Sequence, residues 1–388
     1  MSDIIKIYPV GNGDQSLITL KDGTTMAVDC NIRLESVDST DQLYYDVKKD
    51  VLACIKKREG NPFVDVFVLT HGDCDHCRGF RRHFYQGDPV KYKKENREAG
   101  EIIIDEMWFS PMIAEEHDNE EESVVQEEAE RRLALHLKND PAKDLPGNRI
   151  RIIGYDGKKK YDSLNDLRYT PGTVVDTFNQ KKQATFSVFI HAPFKETLAS
   201  AEPDKNTNSI VFQARFKDKA TDEGFAVLAL FGGDADYIAW EVILTKTMKS
   251  GKDVSHSALD WDLLIAPHHV SWSFFNEHNK KEEPQESSLE VLRYRRPGGI
   301  IVASSKKIED NKDNPPSYLA KQTYIEHLDS SKQFINTAVH PKESALEPVI
   351  LEITASGPAL TTNAKVSAAI TSAGGAGAAG LVIKQGGY

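Results

Sequence analysis

Hydrophobic and polar residues alternate over several short stretches, a two-residue period typical of β-strands with one buried face. At the start of the chain this pattern predicts three strands, at residues 4–10, 16–20 and 24–29. Lys21-Asp22-Gly23 supplies a hairpin turn between the second strand and the third. We therefore expect an antiparallel meander at the beginning of the fold.

Farther along, continuous apolar runs alternate with segments that have a helical period. The runs predict buried strands at residues 63–70, 102–109, 186–191, 209–216, 226–232 and 263–267. Apolar residues at helical spacing predict helices at residues 43–58, 237–247 and 317–328. We interpret this mixture as an α/β (α+β) sandwich, in which helices cover the faces of the sheets.

Two segments differ in character from the rest. Residues 112–148 are dense in acidic side chains and then follow a helical period, which predicts a helical insertion with a solvated acidic face. This insertion is either a protein-partner or lid element or an ordinary surface helix. Residues 356–388 are rich in Ala and Gly and bury little apolar surface, so we expect a flexible tail. Its apolar end offers a second possible contact for a protein partner. The expected domain spans residues 1–355.

Composition narrows the class of protein. Hydrophobic residues make up 39% of the chain and charged residues 28%, as in globular domains. No apolar run approaches the roughly 20 residues that cross a bilayer, and the first residues do not resemble a secretory signal. We therefore expect a cytoplasmic protein without membrane contact. The net charge of −11 argues against a protein coated in nucleic acid, although one basic patch suffices for a nuclease.

The four cysteines are too few for a disulfide scaffold in a chain of 388 residues. Cys74 and Cys77 form a C-x-x-C, but no second pair completes a structural zinc site. We interpret them as reduced thiols whose side chains point away from the neighbouring polar residues of segment 71–76.

Candidate ligands for a metal ion are concentrated directly after the buried strand at residues 63–70. His71, Asp73, Asp75 and His76 place four ligand side chains within six residues. A divalent ion with an open coordination position lowers the pKa of its water to about 7, as metal-dependent hydrolysis requires. The alternative is a polar loop whose side chains are satisfied by hydrogen bonds. Other predicted strands also end in carboxylate or imidazole groups: Asp29, Asp234 and the pair His268-His269.

The order of these motifs resembles the metallo-β-lactamase superfamily, most closely the hydrolase domain of ComEC-type DNA-uptake proteins. The similar segments, spread over residues 4–355, are G-N-G-D at 11–14, Asp29, the H-x-D-x-D-H at 71–76, Asn208-Ser209, Gly233-Asp234, P-H-H-V-S at 267–271 and Asn314-Pro315-Pro316. The chain departs from the family where Val270 replaces a glycine and Pro315 a histidine. The family's third histidine has no clear equivalent; His191 is a candidate by position, and the alternative for it is a structural role.

The resemblance implies a four-layer αββα sandwich with one or two divalent ions. His71 and Asp73 would serve one ion, Asp75 and His76 the other, and Asp234 would bridge them. Either His268 or His269 would complete the second position. Because Asp73 replaces a histidine, the ligand set is harder, and the expected ion is Zn or Mn, with Mg possible. Asp75, His268 and His269 are the expected catalytic residues, and Asp29 is expected to support the site.

The same resemblance favours a phosphodiesterase or nuclease acting on DNA or another nucleic acid through metal-activated water. Asn208, Ser209 and Ser271 are candidates to hold a substrate oxygen, or else they cap turns. Trp272, Phe274 and Phe275 either stack on a base or pack in the core.

Two other functions are compatible with the sequence. A hydrolase of a small ester, lactone or cyclic nucleotide is favoured by the net charge of −11 and by the shortness of the basic clusters at 158–160, 181–182 and 306–307. The third hypothesis is a metal-stabilised interaction or regulatory module without catalysis.

Overall fold

The protein is described here by a computed structural model that covers residues 2–33, 45–111, 120–155, 161–195, 206–249, 254–277, 283–363 and 365. Over these residues the fold mixes helices with two large sheets, which confirms the expected α/β (α+β) class. No helix among them is both long and apolar enough to span a membrane.

The larger sheet, called the first sheet, contains both ends of the described chain. Its strands, numbered along the chain, are β1 (Ile4–Ile7), β2 (Ser16–Thr19), β3 (Thr25–Val28), β4 (Lys56–Arg58), β5 (Asn61–Val68), β6 (Ile103–Phe109), β7 (Arg149–Ile153), β8 (Arg168–Tyr169), β20 (Val349–Thr354) and β21 (Gly357–Thr361). Their spatial order is β21-β20-β1-β2-β3-β5-β6-β7-β8, and β4 pairs with β5. β1, β2 and β3 pair antiparallel in sequence, so the predicted meander is confirmed.

The second sheet has the order β17-β16-β15-β14-β13-β12-β9. Its strands are β9 (Val174–Val175), β12 (Phe186–Ala192), β13 (Val211–Phe216), β14 (Val227–Phe231), β15 (Trp261–Ile265), β16 (Arg295–Ala303) and β17 (Phe334–Asn336). Two short hairpins pair β10 (Thr177–Phe178) with β11 (Lys181–Lys182), and β18 (Pro341–Lys342) with β19 (Ala345–Leu346).

Helices occupy the connections between strands. They are α1 (Val47–Cys54), α2 (Cys74–Cys77), α3 (Phe80–His83), α4 (Lys94–Glu98), α5 (Glu120–Leu137), α6 (Tyr237–Lys249), α7 (Val254–Leu259), α8 (Glu286–Arg293) and α9 (Tyr318–Glu326). A short 3-10 turn, Pro267–Val270, follows β15.

Alternation along the strands divides the buried side chains into three clusters. Val66 and Val68 of β5 belong to a cluster that also contains Leu263 of β15, so the two sheets pack against each other through these faces. Phe67, on the opposite face of β5, packs in a second cluster with residues of α1 and α5. A third cluster joins Leu264 of β15 to residues of α6, α8 and α9.

Helix α5 is more deeply packed than a solvated insertion would be. Val125, Ala129 and Leu133 are buried in the second cluster, at the spacing of one helical face. The helical character predicted for residues 112–148 is confirmed over Glu120–Leu137, but this part of the segment belongs to the core of the domain. Residues 112–119 lie outside the described residues.

The first sheet continues beyond the expected domain boundary at residue 355. β20 and β21 form an antiparallel hairpin that crosses this boundary, with Ile350 opposite Thr361. The buried Lys6 ammonium donates to the Asn363 side chain at 2.7 Å. Residues 356–363 therefore belong to the folded domain and not to a tail. The Ala/Gly-rich segment at 366–388 lies outside the described residues.

Candidate metal centre

Polar side chains converge where neighbouring strands end. β3 and β5 are parallel neighbours in the first sheet, and their carboxyl ends lead into Asp29 and His71. β14 and β15 are parallel neighbours in the second sheet, and they lead into Asp234 and His268. Because the carboxyl ends of adjacent parallel strands share one edge, the packing of the two sheets brings all four segments together.

Four buried side chains form a group that could hold a metal ion: Asp14, His76, Asp234 and His269. One ligand atom from each lies within 4.8 Å of the others. The His76 Nε2 atom is 3.0 Å from Asp234 Oδ1 and 3.1 Å from His269 Nε2. A tetrahedral ion with bonds of about 2.0 Å separates its ligand atoms by about 3.3 Å. The spacing of these atoms suits a divalent cation.

Unsatisfied atoms support the same conclusion. Asp234 Oδ1 and His71 Nε2 are buried, and neither makes a hydrogen bond of good geometry among the described residues, although His76 Nε2 lies 3.0 Å from Asp234 Oδ1. Leaving such atoms without partners costs about 1–3 kcal/mol each. The facing Nε2 atoms of His76 and His269 could form a hydrogen bond only if one of them carried the proton, whereas both could ligate a cation through their lone pairs. The donor set therefore fits a metal ion.

The second oxygen of Asp234 faces a different set of side chains. Asp234 Oδ2 is 3.4 Å from His71 Nε2 and 3.6 Å from His268 Nε2. His71 Nε2 in turn lies 3.7 Å from Asp73 Oδ2. Asp75 lies on the other side, with Oδ2 3.4 Å from His269 Nε2. The side chains of Asp73 and Asp75 are 38% and 31% exposed, so the group opens to solvent on their side.

Asp29 fixes the orientation of His76. Its carboxylate accepts hydrogen bonds from the Thr70 amide at 2.7 Å, the Thr70 hydroxyl at 2.8 Å and His76 Nδ1 at 2.9 Å. With the proton held on Nδ1, His76 presents the lone pair of Nε2 to the group. Asp29 is buried and contacts His76 without lying in the four-residue group.

His269 is oriented by backbone groups. Its Nδ1 lies 3.0 Å from the Ser304 carbonyl oxygen and 3.2 Å from the Gly13 amide nitrogen; in the tautomer with the proton on Nδ1, the Ser304 carbonyl accepts it and the Gly13 amide makes no hydrogen bond to that nitrogen. This leaves Nε2 free to face Asp234. The 3-10 turn positions both histidines through an unusual backbone, because His268, His269 and Val270 have φ of 50°, 51° and 67°. A left-handed conformation is unfavourable for each of these residues, above all for the β-branched Val270.

The electrostatics of the group favour a bound cation. Burial lowers the pKa of His76, but the charges of Asp234 and Asp29 outweigh it and raise that pKa well above its ordinary value. Burial also lowers the pKa of His269, but the surrounding carboxylates, chiefly Asp234 and Asp75, outweigh it and raise that pKa to about 9. Burial would raise the pKa of Asp234, yet the surrounding histidines hold it well below its usual range. Without a cation these imidazoles hold protons, which a metal ion would displace.

Sequence reasoning did not identify Asp14 as a ligand. Asp14 follows Gly13, whose φ is 133°. The position of Gly13 leaves no room for a side chain, because a Cβ would clash with Asn31 and lie 2.6 Å from the Asp75 carbonyl oxygen. This close approach lets the Asp14 amide donate to that same oxygen at 3.2 Å. The acidic residue directly after the G-N-G turn was the available signal.

The candidate substrate-binding residues are buried within the chain. The Ser209 hydroxyl accepts a hydrogen bond from the Asp234 amide at 3.3 Å. The Ser271 hydroxyl accepts from the Ser273 amide at 3.1 Å and donates to Asn314 at 3.1 Å. Asn208 is also buried. These contacts make Ser209 and Ser271 turn-stabilising residues near the group.

Other candidates lie away from the group. His191 donates from Nε2 to the Ala258 carbonyl at 2.8 Å and contacts the edge of the Phe189 ring, so it does not replace the family's third histidine. Cys77 is buried in the second cluster. Trp272, Phe274 and Phe275 pack in the third cluster, as the structural alternative required.

No protein-family model and no curated protein matches the chain.

Proposed function

We propose that this protein is a metal-dependent hydrolase with the four-layer αββα metallo-β-lactamase fold, and that it cleaves phosphodiesters, nucleic acid foremost. The observation that carries the proposal is the position of Asp234 between two sets of ligand side chains. Its Oδ1 faces His76 and His269, and its Oδ2 faces His71 and His268. A carboxylate in this position can bridge two divalent ions.

The architecture supports the fold assignment. Two sheets pack face to face, and the two outer clusters join each sheet to helices. The candidate ligands follow strands of both sheets, in the chain order that the resembling family uses. Val270 stands where that family has glycine, and its φ of 67° lies in the region that favours glycine.

The ligands divide into two positions. Asp14, Asp75, His76 and His269 would hold one ion, and His71, Asp73 and His268 would hold the other, with Asp234 shared. When bound to these residues, divalent ions would supply a water of lowered pKa and positive charge for the phosphoryl oxygens. The mixture of imidazole and carboxylate ligands suits Zn or Mn, and Mg is compatible with the carboxylates.

Asp75 and His268 lie where the group meets solvent. Burial would raise the pKa of Asp75, but its hydrogen bond with His269 and the charge of His76 lower that pKa below its usual range, so the carboxylate is ionised at neutral pH. An ionised Asp75 can orient an attacking water by accepting its hydrogen bond. His268, 17% exposed, is held by the Ser273 hydroxyl at 2.8 Å from Nδ1 and can contact the departing group.

The guanidinium of Arg33, which lies beside the Asp14 turn, favours a phosphodiester over a neutral substrate. The Arg33 guanidinium donates to the Asn12 carbonyl at 3.1 Å, and the Lys306 amide donates to the Asn12 side chain at 2.9 Å. Of the other basic clusters, Lys181 and Lys182 lie on the β10–β11 hairpin. Lys181 pairs with Asp22, and Lys182 pairs with Asp176. Residues 158–160 lie outside the described residues.

The test is an activity assay on protein stripped of metal and then supplied with Mn²⁺, Mg²⁺ or Zn²⁺. Single-stranded DNA, duplex DNA, RNA and bis-p-nitrophenyl phosphate are offered in parallel to the wild type and to Asp75→Ala. Asp218→Ala, which removes an exposed carboxylate, is the matched control. We expect metal-dependent cleavage of polymer, retained in Asp218→Ala and reduced at least a hundredfold in Asp75→Ala.

The other outcomes identify the competing functions. Cleavage of the small diester alone would favour a hydrolase of small substrates such as cyclic nucleotides. Metal binding without turnover of any substrate would favour the interaction module. Full activity of Asp75→Ala would remove this residue from the mechanism.

A further inference from the structure

A cavity of about 430 Å³ is lined by residues that follow Asp29 and His76 closely in the chain. Its walls include Ile32, Arg33, Arg78, Arg82, His83 and Glu121. Three arginine residues and one glutamate therefore contribute to the lining among the described residues. Glu121 also accepts a hydrogen bond from the Arg81 amide at 3.1 Å, which ties it to one wall. The charge of the lining favours an anionic ligand.

The cavity and the metal centre are built from the same chain segments. The His76 carbonyl accepts from the Cys30 amide at 2.7 Å, and the Arg78 carbonyl accepts from the Ile32 amide at 3.0 Å. His76 therefore presents its ring to the metal group, while Arg78, two residues later, lines the cavity. Arg33 extends this connection to Asn12, in the turn that carries Asp14.

His83 gives an independent indication of a ligand. The side chain is 4% exposed and lines the cavity, and its Nε2 makes no hydrogen bond of good geometry among the described residues, although the Ile32 backbone faces the ring. Burial, with Lys48 and Arg82 nearby, lowers the pKa of His83 to about 3, so the ring is neutral at pH 7. With its proton on Nε2, the neutral ring can donate one hydrogen bond to an anion that the arginines attract.

We infer that this cavity binds a phosphate group of the substrate, at a nucleotide neighbouring the one whose phosphodiester is cleaved. Arginine forms strong, charge-assisted hydrogen bonds to phosphate oxygens. The volume lies in the range of small-molecule sites and exceeds what an inorganic anion needs, so part of the attached nucleoside can enter as well. The identity of the ligand as substrate rests on the proposed function, whereas the binding of a phosphate does not.

The first test measures binding without catalysis. Metal-stripped protein in a chelating buffer is titrated with inorganic phosphate and with adenosine 5′-monophosphate by calorimetry. We compare the wild type with Arg78→Gln and Arg82→Gln, and use Arg81→Gln as the control, because Arg81 is half exposed and pairs with Glu120 outside the cavity lining. Thermal unfolding verifies that each variant is folded.

We expect the wild type and Arg81→Gln to bind adenosine 5′-monophosphate with the same Kd, more tightly than inorganic phosphate. Arg78→Gln and Arg82→Gln should raise that Kd at least tenfold, and the dependence of binding on salt should weaken with each arginine removed. Equal affinity in all four proteins, or no binding to the wild type, would overturn the inference.

A second measurement separates this inference from the proposed function. The KM for a single-stranded oligonucleotide is determined with the activating metal for the wild type, the two cavity variants and Arg81→Gln. We expect a rise in KM of about tenfold in the cavity variants alone. Cleavage with an unchanged KM would exclude the cavity as a substrate subsite while leaving the hydrolase intact. Phosphate binding without cleavage of any substrate would reject the hydrolase and retain the anion site.

Discussion

Asp29 shows how a buried residue outside the ligand group can control it. Its carboxylate accepts two hydrogen bonds from Thr70 and one from His76, and this arrangement holds the His76 ring with Nε2 toward Asp234. A partner of this kind fixes both the tautomer and the orientation of an imidazole ligand. The left-handed backbone of Asp29, with φ of 57°, aims the carboxylate back at the strand end.

Replacing Asp29 by alanine should therefore weaken metal binding without removing a ligand. We expect the Kd for Zn²⁺ or Mn²⁺ to rise by about 10–100-fold, because His76 loses the acceptor that fixes its Nδ1 proton. Competition with a chelating indicator dye measures this. Asp218→Ala, which changes an exposed carboxylate, should retain the wild-type Kd. An unchanged Kd in Asp29→Ala would show that His76 needs no such support.

His191 should make the fold sensitive to acid. Burial, aided by the charge of Arg215, lowers its pKa in the folded state to about 3, against about 6.5 in the unfolded chain. The unfolded state then binds the extra proton first, so the stability that the neutral ring contributes is complete above pH 6.5 and is lost as the pH falls toward 3.

His191→Gln should remove this contribution while its side-chain amide still donates to the Ala258 carbonyl. Lowering the pH from 6.5 to 4.5 should reduce the free energy of unfolding of both proteins. The reduction should be smaller in the variant than in the wild type by roughly 2 kcal/mol. Urea unfolding at several pH values, compared as differences between the two proteins, measures it. Parallel pH curves would mean that His191 is not neutral in the folded state.

At the scale of single elements, α5 shows that the acidic segment contributes to the core of the domain and is not only a solvated insertion. Its sequence is rich in glutamate, but Val125, Ala129 and Leu133 form an apolar stripe that packs under the first sheet. Glu122, buried at the first turn, lies against Gly72 of the motif, where a Cβ would meet its side chain. The helix therefore supports the motif loop from behind.

Leu133→Ala should destabilise the protein through this stripe. The expected loss is about 2–4 kcal/mol in the free energy of unfolding, because a buried leucine leaves a cavity when it is truncated. Leu137→Ala is the matched control in the same helix, since Leu137 is 57% exposed and should change stability by less than about 0.5 kcal/mol. Urea denaturation compares them. Similar losses in both variants would contradict the packing of α5.

At the scale of the whole molecule, the candidate metal group joins the two sheets. Asp14 and His76 come from connections of the first sheet, and Asp234 and His269 come from connections of the second. A cation bound here links halves that otherwise meet mainly through the apolar cluster between them. Metal binding and the stability of the whole domain should therefore be coupled.

Adding Mn²⁺ or Zn²⁺ to stripped protein should raise the unfolding temperature of both sheets in one transition. An ion at a hundred times its Kd stabilises the folded state by about 2.7 kcal/mol if it does not bind the unfolded chain. Calorimetry with and without the ion checks this, and Asp234→Asn should abolish the shift. A metal-dependent shift of equal size in Asp234→Asn would place the ion elsewhere.

Local patterns in the sequence predicted the opening meander, most of the long buried strands, the α/β class and the ends of strands that carry candidate ligands, because alternation and buried runs depend on neighbouring residues. They also predicted a helix over residues 43–58, whereas the helix ends at Cys54 and Lys56–Arg58 forms β4. They also placed His71, Asp73, Asp75 and His76 in one short segment after β5, since residues so close in sequence stay close in space; Asp75 and His76 lie in α2. The boundary at residue 355 and the solvated insertion were less well predicted, because pairing of β21 and packing of α5 depend on distant partners.

Only the tertiary structure decided how the two sheets combine their candidate ligands. It placed His269 in the buried group with His76 and Asp14, and His268 on the other oxygen of Asp234. Nothing in the sequence separates two adjacent histidines, because their directions follow from the left-handed turn after β15. Likewise, Asp14 becomes a candidate ligand only because Gly13 lets its turn approach the motif loop, a contact between segments about sixty residues apart.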